Sequence, residues 1–247
     1  MANILVVVPT VVENDYRYNL FYDLTCQQHV TDVVIVDNGG NLDTNKFRIR
    51  KGNILQVHQP GYNANWLKSC NIGARIAKKR NMDFVCFLND DVELSSNFFD
   101  SLLKAYNEEV GVIGPSYTGL LNPEIRDLTP KRNWIATAED IELKFIDGTC
   151  MLIPIKIIDK IGLLDENYKP PGWGADLDYC YRVRQEGYKV IATKRAKLWH
   201  SDYIGGLSAK RVYGSKKDWI ASGKRQLNED MNKKYGPQWR QIVGYQN

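Results

Sequence analysis

The sequence lacks the two glycine-rich motifs that most often hold a nucleotide phosphate. No Gly-x-Gly-x-x-Gly follows the first hydrophobic segment, and no Gly-x-x-x-x-Gly-Lys-Ser/Thr occurs anywhere in the 247 residues. A nucleotide site in this chain must therefore hold phosphate by other means.

Long apolar runs and a leader peptide are missing as well. No run approaches the roughly 18–20 apolar residues that a bilayer span needs, and the first residues lack the basic region, apolar stretch and cleavage site of a signal peptide. We therefore expect a cytoplasmic protein. The cysteines are Cys26, Cys70, Cys86, Cys150 and Cys180. Their odd number, wide spacing and mostly apolar surroundings favour reduced packing thiols over disulfides or a zinc site.

The composition is that of an ordinary globular protein, with 43% hydrophobic and 25% charged residues. A single α/β domain commonly reaches roughly 200–250 residues, so we predict one domain over residues 1–205 and a helical extension over residues 206–247. The extension is basic, with nine Lys or Arg against three Asp or Glu, whereas the whole chain has a formal charge of +4. Two interpretations stay open: a solvated helix face, or a contact with phosphates, an anionic surface or nucleic acid.

The first hundred residues have the pattern βαβαβ. Continuous β-branched or apolar runs predict buried parallel strands, and the segments between them have room for crossover helices. The predicted strands are Ile4–Val8, Val33–Val36 and Phe84–Leu88, and the predicted helices are Tyr16–Gln28 and Ala64–Lys79. The second half is less regular. There we predict an apolar segment at Gly148–Ile153, a short helix to about Ile161, a helix from about Asp176 to Glu186, and strands near Lys189–Ala192 and Lys197–Trp199.

Polar residues follow each of the three predicted strands of the first half. They are Pro9-Thr10, Asp37-Asn38 and Asn89-Asp90-Asp91. Because ligands of parallel sheets bind in the crevice beyond the carboxyl ends of the strands, we expect these residues to converge on one cleft. Carboxylates there suit magnesium or manganese, which typically take one or two carboxylates plus phosphate oxygens. The alternative is that Asn89-Asp90-Asp91 merely ends a strand and caps a helix near Ser95.

Leu88-Asn89-Asp90-Asp91-Val92 resembles the DXD-type motif of family-2 glycosyltransferases with the GT-A fold. Further segments resemble that family in the same order, namely Ile35–Gly40, Gly61–Gly73, Gly148–Leu152, Asp176–Arg182, Trp199-His200 and Gly205–Ser208. Two positions depart from the pattern. Asn89 stands where many members have the first Asp, and Ala175 stands where the Glu of a Glu-Asp pair is common, so a second carboxylate beside Asp176 is lost.

The resemblance implies a GT-A-like single domain. Residues 1–110 would form a Rossmann-like nucleotide-binding half, and residues 111–205 a mixed-sheet acceptor half. The implied reaction is the transfer of a sugar, with inversion and with a divalent cation (Mn²⁺ or Mg²⁺), from a nucleotide-sugar donor to an acceptor hydroxyl. The acceptor could be a saccharide, another glycoconjugate or a modified nucleic acid.

Carried over position by position, the resemblance implies roles for ten residues. Those on the donor side are Pro9, Thr10, Asp37, Asn38, Asn71, Asn89 and Asp90, with Asp91 and His200 as metal ligands and Asp176 as the candidate base. Apart from the resemblance, Trp173 in the aromatic loop before Asp176 either stacks on a sugar face or packs. His200 could equally be a structural histidine, and Asp176 a helix N-cap. Asp178 lies about 200° around the helix from Asp176, so one of the two must be structural or peripheral.

Two other functions compete with this interpretation. A nucleotidyltransferase would usually carry a glycine-rich first loop, and none follows Pro9. A non-catalytic sugar- or nucleic-acid-binding module would use the basic extension as its binding surface. The joint presence of Asp91, Asp176 and His200 speaks against the second alternative.

Overall fold

A computed structural model describes residues 2–13, 15–49, 54–118 and 123–245. Its nine described strands form one mixed sheet in the order β3-β2-β1-β4-β8-β6-β9-β5, with β7 paired to β9. The strands are β1 (Ile4–Thr10), β2 (Val30–Asp37), β3 (Ile54–His58), β4 (Phe84–Leu88), β5 (Val92–Leu94), β6 (Val110–Tyr117), β7 (Asp140–Glu142), β8 (Cys150–Pro154) and β9 (Lys189–His200). The helices are α1 (Asp15–Cys26), α2 (Asn65–Lys79), α3 (Phe98–Leu103), α4 (Ile155–Ile161), α5 (Ala175–Gln185), α6 (Asp202–Tyr213), α7 (Lys216–Tyr235) and α8 (Trp239–Val243).

The first half of the chain forms the parallel part of the sheet, where β3, β2, β1 and β4 run side by side. The β-branched runs of β1 and β2 are buried as predicted, since both faces of this sheet are covered. Pro9 lies inside β1 opposite Val36 and does not end the strand. The sequence pattern missed β3, a partly exposed strand, so the observed order is βαββαβ.

The second half adds antiparallel and mixed pairing. Strand β8 pairs antiparallel to β4, with Leu88 opposite Cys150, and β6 pairs parallel to β9. The sequence pattern also missed β6. The two strands predicted near Lys189–Ala192 and Lys197–Trp199 are one strand, β9, whose register with β6 shifts between Thr193 and Lys197.

The C-terminal helices complete the core of the domain. Helix α6 begins at Asp202, before the predicted boundary at residue 206. The side chains of Met231, Trp239 and Val243 are fully buried. Removal of residues 206–247 would therefore take away part of the hydrophobic core. No helix in the described ranges is long and apolar enough to cross a membrane.

Candidate functional site

The carboxyl ends of β1, β2 and β4 meet at one edge of the sheet, as the strand pattern predicts. The Thr10 hydroxyl donates to Oδ2 of Asp90 at 2.5 Å, and the Asn38 N–H donates to the Thr10 carbonyl at 2.8 Å. Three chain segments that are far apart in sequence are thus joined directly where a ligand of a parallel sheet binds.

Asp37 shapes the loop that follows β2. Its buried carboxylate accepts hydrogen bonds from the N–H groups of Gly39 (3.1 Å), Gly40 (2.8 Å) and Leu42 (3.1 Å) and from Nε2 of Gln59 (3.0 Å). Two carboxylate oxygens offer about four acceptor positions, and all four are used within the chain. A nucleoside base could therefore bond to Asp37 only by displacing one of these donors, of which the Gln59 side chain is the most easily moved.

The two asparagines of the donor side have different surroundings. Asn38 accepts from the Ala64 N–H at 2.8 Å and donates to the Ser69 hydroxyl at 3.0 Å, which ties the end of β2 to the start of α2. Asn71 is fully buried, and its amide exchanges hydrogen bonds with the backbone of Leu164 at 2.9 and 3.1 Å. Its structural role is to hold α2 against the segment after α4, so we leave Asn71 out of the proposed ligand contacts.

A buried arginine underlies the acidic motif. Arg17, in α1, is fully buried, and its Nε lies 2.5 Å from Oδ2 of Asp90. The same guanidinium donates to the Val12 carbonyl and to the Ser208 hydroxyl, so it connects α1, β4 and α6. Burial raises the pKa of Asp90, and the Arg17 charge opposes that rise. Asp90 is thus engaged with the interior of the protein, and nothing in the sequence around Arg17 signals this contact.

Asp91 and His200 lie side by side because β5 pairs antiparallel to β9. In that register Val92 is opposite His200, and the Ser201 N–H donates to the Asp91 carbonyl at 2.7 Å. The distance between Nε2 of His200 and Oδ1 of Asp91 is 3.2 Å. Asp91 is only 5% exposed, and its Oδ1 has no hydrogen bond of good geometry among the described residues. Strand pairing thus joins two residues that are 109 positions apart.

This pair fits a hard divalent cation. In the described parts of the chain, no group of three or more His, Cys, Asp and Glu side chains could hold a metal ion by itself. Magnesium and manganese do not need such a group, because one or two protein ligands suffice when substrate phosphates and water complete the shell. The buried Oδ1 of Asp91 and the adjacent imidazole of His200 are the groups here that could hold such a cation.

Tyr16 is a further residue of this site that the sequence reasoning missed. Its pKa is raised, first by burial and then by the negative charges of Glu93, Asp91 and Asp90. The phenol therefore stays protonated, and it can donate a hydrogen bond beside the acidic motif.

Asp176 lies at the start of α5 and reaches across to the loop before β8. Its Oδ2 accepts the Gly148 N–H at 2.9 Å, and its Oδ1 accepts the Leu177 N–H at 2.9 Å. Burial, followed by the charge of Asp147, raises the pKa of Asp176 to about 6, although the two N–H groups oppose the rise. The N-cap position of α5 is Gly174, which makes no side-chain capping bond, and Asp176 lies in the first turn, where it accepts the Leu177 N–H.

The loop formed by residues 147–149 connects the acidic motif to Asp176. The Asn89 N–H donates to the Thr149 carbonyl at 3.0 Å, which extends the β4–β8 ladder beyond Leu88. Asp147 is buried, and its Oδ1 accepts the Thr149 N–H at 3.0 Å. The sequence reasoning missed Asp147; the only signal was an acidic residue directly before the Gly148 segment.

Asp178 is a structural carboxylate. It is fully buried, its Oδ2 accepts from Nε of Arg182 at 2.9 Å, and its Oδ1 lies 2.5 Å from both the Tyr235 hydroxyl and Nζ of Lys234. These contacts tie α5 to α7. Of the two aspartates that cannot face the same hydroxyl, Asp178 is therefore the one engaged in packing, and Asp176 is the one at the sheet edge.

Trp173 packs against the C-terminal helices. Its ring lies edge-on to Trp219, with centroids 5.3 Å apart, and a Cβ added at Gly223 would come within 2.5 Å of it. The side chain remains half-buried. The packing alternative for Trp173 is thus observed, and it places the loop before α5 directly beside α7.

No protein-family model matches the chain. Uncharacterised proteins from Mycobacterium bovis and from two strains of Mycobacterium tuberculosis are each 26% identical to it over 226 residues, which is 90% of this chain and 82% of each relative.

Solved structures show the same fold. GalNAc-T7, solved with UDP, GalNAc and Mn²⁺, superimposes with a TM-score of 0.66 at 15% identity, over 99% of this chain and 57% of that one. TarS of S. aureus superimposes with a TM-score of 0.58 at 16% identity, over 95% of this chain and 44% of that one. This chain therefore spans about half the length of these two proteins. Its fold is the GT-A glycosyltransferase fold, as the sequence predicts.

Proposed function

We propose that this protein is an inverting glycosyltransferase that uses a divalent cation to move a sugar from a nucleotide-sugar donor to an acceptor hydroxyl. One observation carries the proposal. The Asn89–Thr149 hydrogen bond connects the acidic motif, where Asp91 and His200 form a pair suited to bind a cation, to the loop of residues 147–149. That loop in turn contacts Asp176, a carboxylate of raised pKa. A metal ligand and a base are the two functions that such a transfer needs. The GT-A fold of the chain supports the proposal, because a protein solved with UDP, GalNAc and Mn²⁺ has the same fold.

On the donor side, Pro9, Thr10, Asn38 and Asn89 border the nucleoside and its ribose, and the loop held by Asp37 closes that side. Asp91 and His200 would hold the cation, which offsets the negative charge of the diphosphate when it is bound. Asp90 stabilises this edge of the sheet through its contacts with Thr10 and the buried Arg17.

On the acceptor side, the ionised Asp176 carboxylate takes the proton of the attacking hydroxyl. The acceptor oxygen forms a bond to the anomeric carbon while the bond from that carbon to the diphosphate oxygen breaks. The proton ends on Asp176 and the electron pair on the nucleoside diphosphate. Because the hydroxyl attacks the face opposite the leaving diphosphate, the anomeric centre is inverted. A base with a pKa of about 6 is ionised at neutral pH and still has useful proton affinity.

A thermal-shift screen tests the assignment directly. Nucleoside diphosphates and nucleotide sugars are added with Mn²⁺, and the matching donor is expected to stabilise the fold by about 2.7 kcal/mol at 100 times its dissociation constant. The same ligands without metal, and nucleoside monophosphates with metal, serve as controls. Stabilisation by nucleoside triphosphates together with pyrophosphate release would instead indicate a nucleotidyltransferase. No response to any nucleotide would favour a non-catalytic binding module.

We also propose that the basic surface of α6 and α7 serves the acceptor side. It comprises the exposed cations Lys210, Arg211, Lys217, Lys224 and Arg225. Arg211 lies 3.4 Å from the Gly39 carbonyl at the rim of the donor loop, and Trp219 of α7 contacts Trp173. This surface therefore borders the cleft and suits an anionic acceptor or an anionic surface bearing it. The comparisons give no support for a nucleic-acid partner.

Charge reversal tests this surface without removing core residues. In the double variant Lys217→Glu/Lys224→Glu, we expect a higher KM for the acceptor and a weaker dependence of the rate on salt, because ionic strength screens exposed charges. Donor affinity should stay at the wild-type value. The control is Lys79→Glu, an exposed lysine at the far end of α2. Unchanged acceptor KM and salt dependence in the double variant would show that these cations only form a solvated helix face.

A further inference from the structure

Asp176 has a carboxylate neighbour that comes from a different part of the chain. The residue directly before it, Ala175, is fully buried and carries no acid. The nearby acid is Asp147, which lies 29 positions earlier in the loop that leads into β8. We propose that Asp147 is a positioning residue for Asp176, setting both the geometry and the charge environment of that carboxylate. The proposal rests on the proposed function of Asp176 as the base.

The geometry of the loop is set by Asp147 itself. Its Oδ1 accepts the Thr149 N–H at 3.0 Å, which closes a tight turn around Gly148. That turn aims the Gly148 N–H at Oδ2 of Asp176, at 2.9 Å. The opposite side of the turn is closed by Trp66, because a Cβ on Gly148 would lie only 2.6 Å from the indole ring. The turn is thus held from both sides, and its N–H group fixes the orientation of the Asp176 carboxylate.

The charge environment also points to Asp147. Groups facing Asp176 come from several elements: Asp147, the Cys70 thiol of α2, the Cys180 thiol of α5, and the Tyr245 phenol after α8. Burial raises the pKa of both thiols and of the phenol, so these three groups are neutral near pH 7. After burial itself, the Asp147 charge is the largest reason why the pKa of Asp176 is raised. A like charge nearby disfavours ionisation and so increases the proton affinity of the base.

The variant Asp147→Asn separates charge from shape. Its amide oxygen can still accept the Thr149 N–H, but the negative charge is gone. Removal of that charge favours the ionised form of Asp176, so the acidic limb of the turnover–pH profile should move to lower pH. At pH 5 the variant should keep a several-fold larger share of its pH 7.5 turnover than the wild type keeps. The control Asp23→Asn makes the same change at an exposed position of α1 and should leave the limb in place.

A second readout does not depend on catalysis. The titration of Asp176 is followed by carbon NMR with labelled aspartate, and its signal is identified by its absence in Asp176→Asn. We expect its midpoint to fall in Asp147→Asn and to stay near the wild-type value in Asp147→Glu, which keeps the charge. If the Asn variant folds poorly, Asp147→Ser gives the same comparison, since its hydroxyl can also accept the Thr149 N–H.

The outcomes separate the two proposals. A shifted Asp176 midpoint together with a shifted acidic limb supports the role of Asp147. An unshifted midpoint in Asp147→Asn overturns it, whatever happens to turnover, because a merely structural residue would lower activity without moving either titration. A shifted midpoint in a protein that transfers no sugar from any donor would keep the coupling of the two carboxylates and refute the proposed function.

Discussion

The variant Asp176→Asn is expected to lower turnover by about 10²–10⁴-fold while donor affinity stays close to the wild-type value. That range is what a positioned general base typically contributes, and the base acts only while the acceptor proton is being transferred. An amide cannot take that proton. Initial rates, paired with a calorimetric titration of the donor into the folded variant, measure the two quantities separately.

The control for this variant is Asp178→Asn, the same change two residues along α5. Because Asp178 is buried against Arg182, Lys234 and Tyr235, its loss should lower the melting temperature, with turnover per folded molecule near normal. Near-normal turnover in Asp176→Asn would contradict our assignment of the base. Asp147 would then be the next candidate, since Asp178 is engaged in joining two helices.

The same assignment predicts the direction in which the turnover of the wild type changes with pH. The ordinary pKa of an aspartate is 3.8, and the folded protein raises that of Asp176 to about 6. The base is active only when it is ionised, so turnover should rise with pH through about 6 and level off above it. The profile in Asp176→Asn should lack this limb.

The variant Asp91→Ala is expected to weaken metal-dependent donor binding and turnover together. Changes in the residues that merely orient metal ligands commonly cost roughly 10–100-fold in metal affinity or activity, so the loss of a ligand should cost at least that much. Excess Mn²⁺ should recover part of the loss, because a weakened site fills at higher metal concentration. Donor titrations at increasing Mn²⁺, with parallel rate measurements, test both expectations.

The matching control is Asp83→Ala, which removes an exposed aspartate at the opposite end of β4. Exhaustive chelation should abolish transfer by the wild type, and added Mn²⁺ or Mg²⁺ should restore it. Full activity after chelation would refute the metal assignment for Asp91 and His200. In that case the two side chains would form a structural ion pair beside the cleft.

Sequence patterns alone were sufficient for three of the four parallel strands, β1, β2 and β4, and for the edge where the site lies, whereas the partly exposed β3 was missed. The runs in β1, β2 and β4 are continuous and β-branched or apolar, and parallel strands with crossover helices bring their carboxyl ends together. Strand β6 was hidden because Gly111, Gly114 and Pro115 interrupt its pattern. The two glycines are needed there, since Val183 and Ile146 occupy the space that a Cβ would fill.

Only the tertiary structure showed which acids are engaged in packing and which lie at the edge of the sheet. Helix geometry shows that Asp176 and Asp178 face different directions, but the choice between them depends on Lys234 and Tyr235 of α7, which reach Asp178 from more than fifty residues away. Asp147 comes near Asp176 for a similar reason, because the N–H of the adjacent Gly148 bonds to the Asp176 carboxylate from 28 positions away. Such contacts join residues that are distant in sequence, and a local sequence pattern therefore cannot predict them.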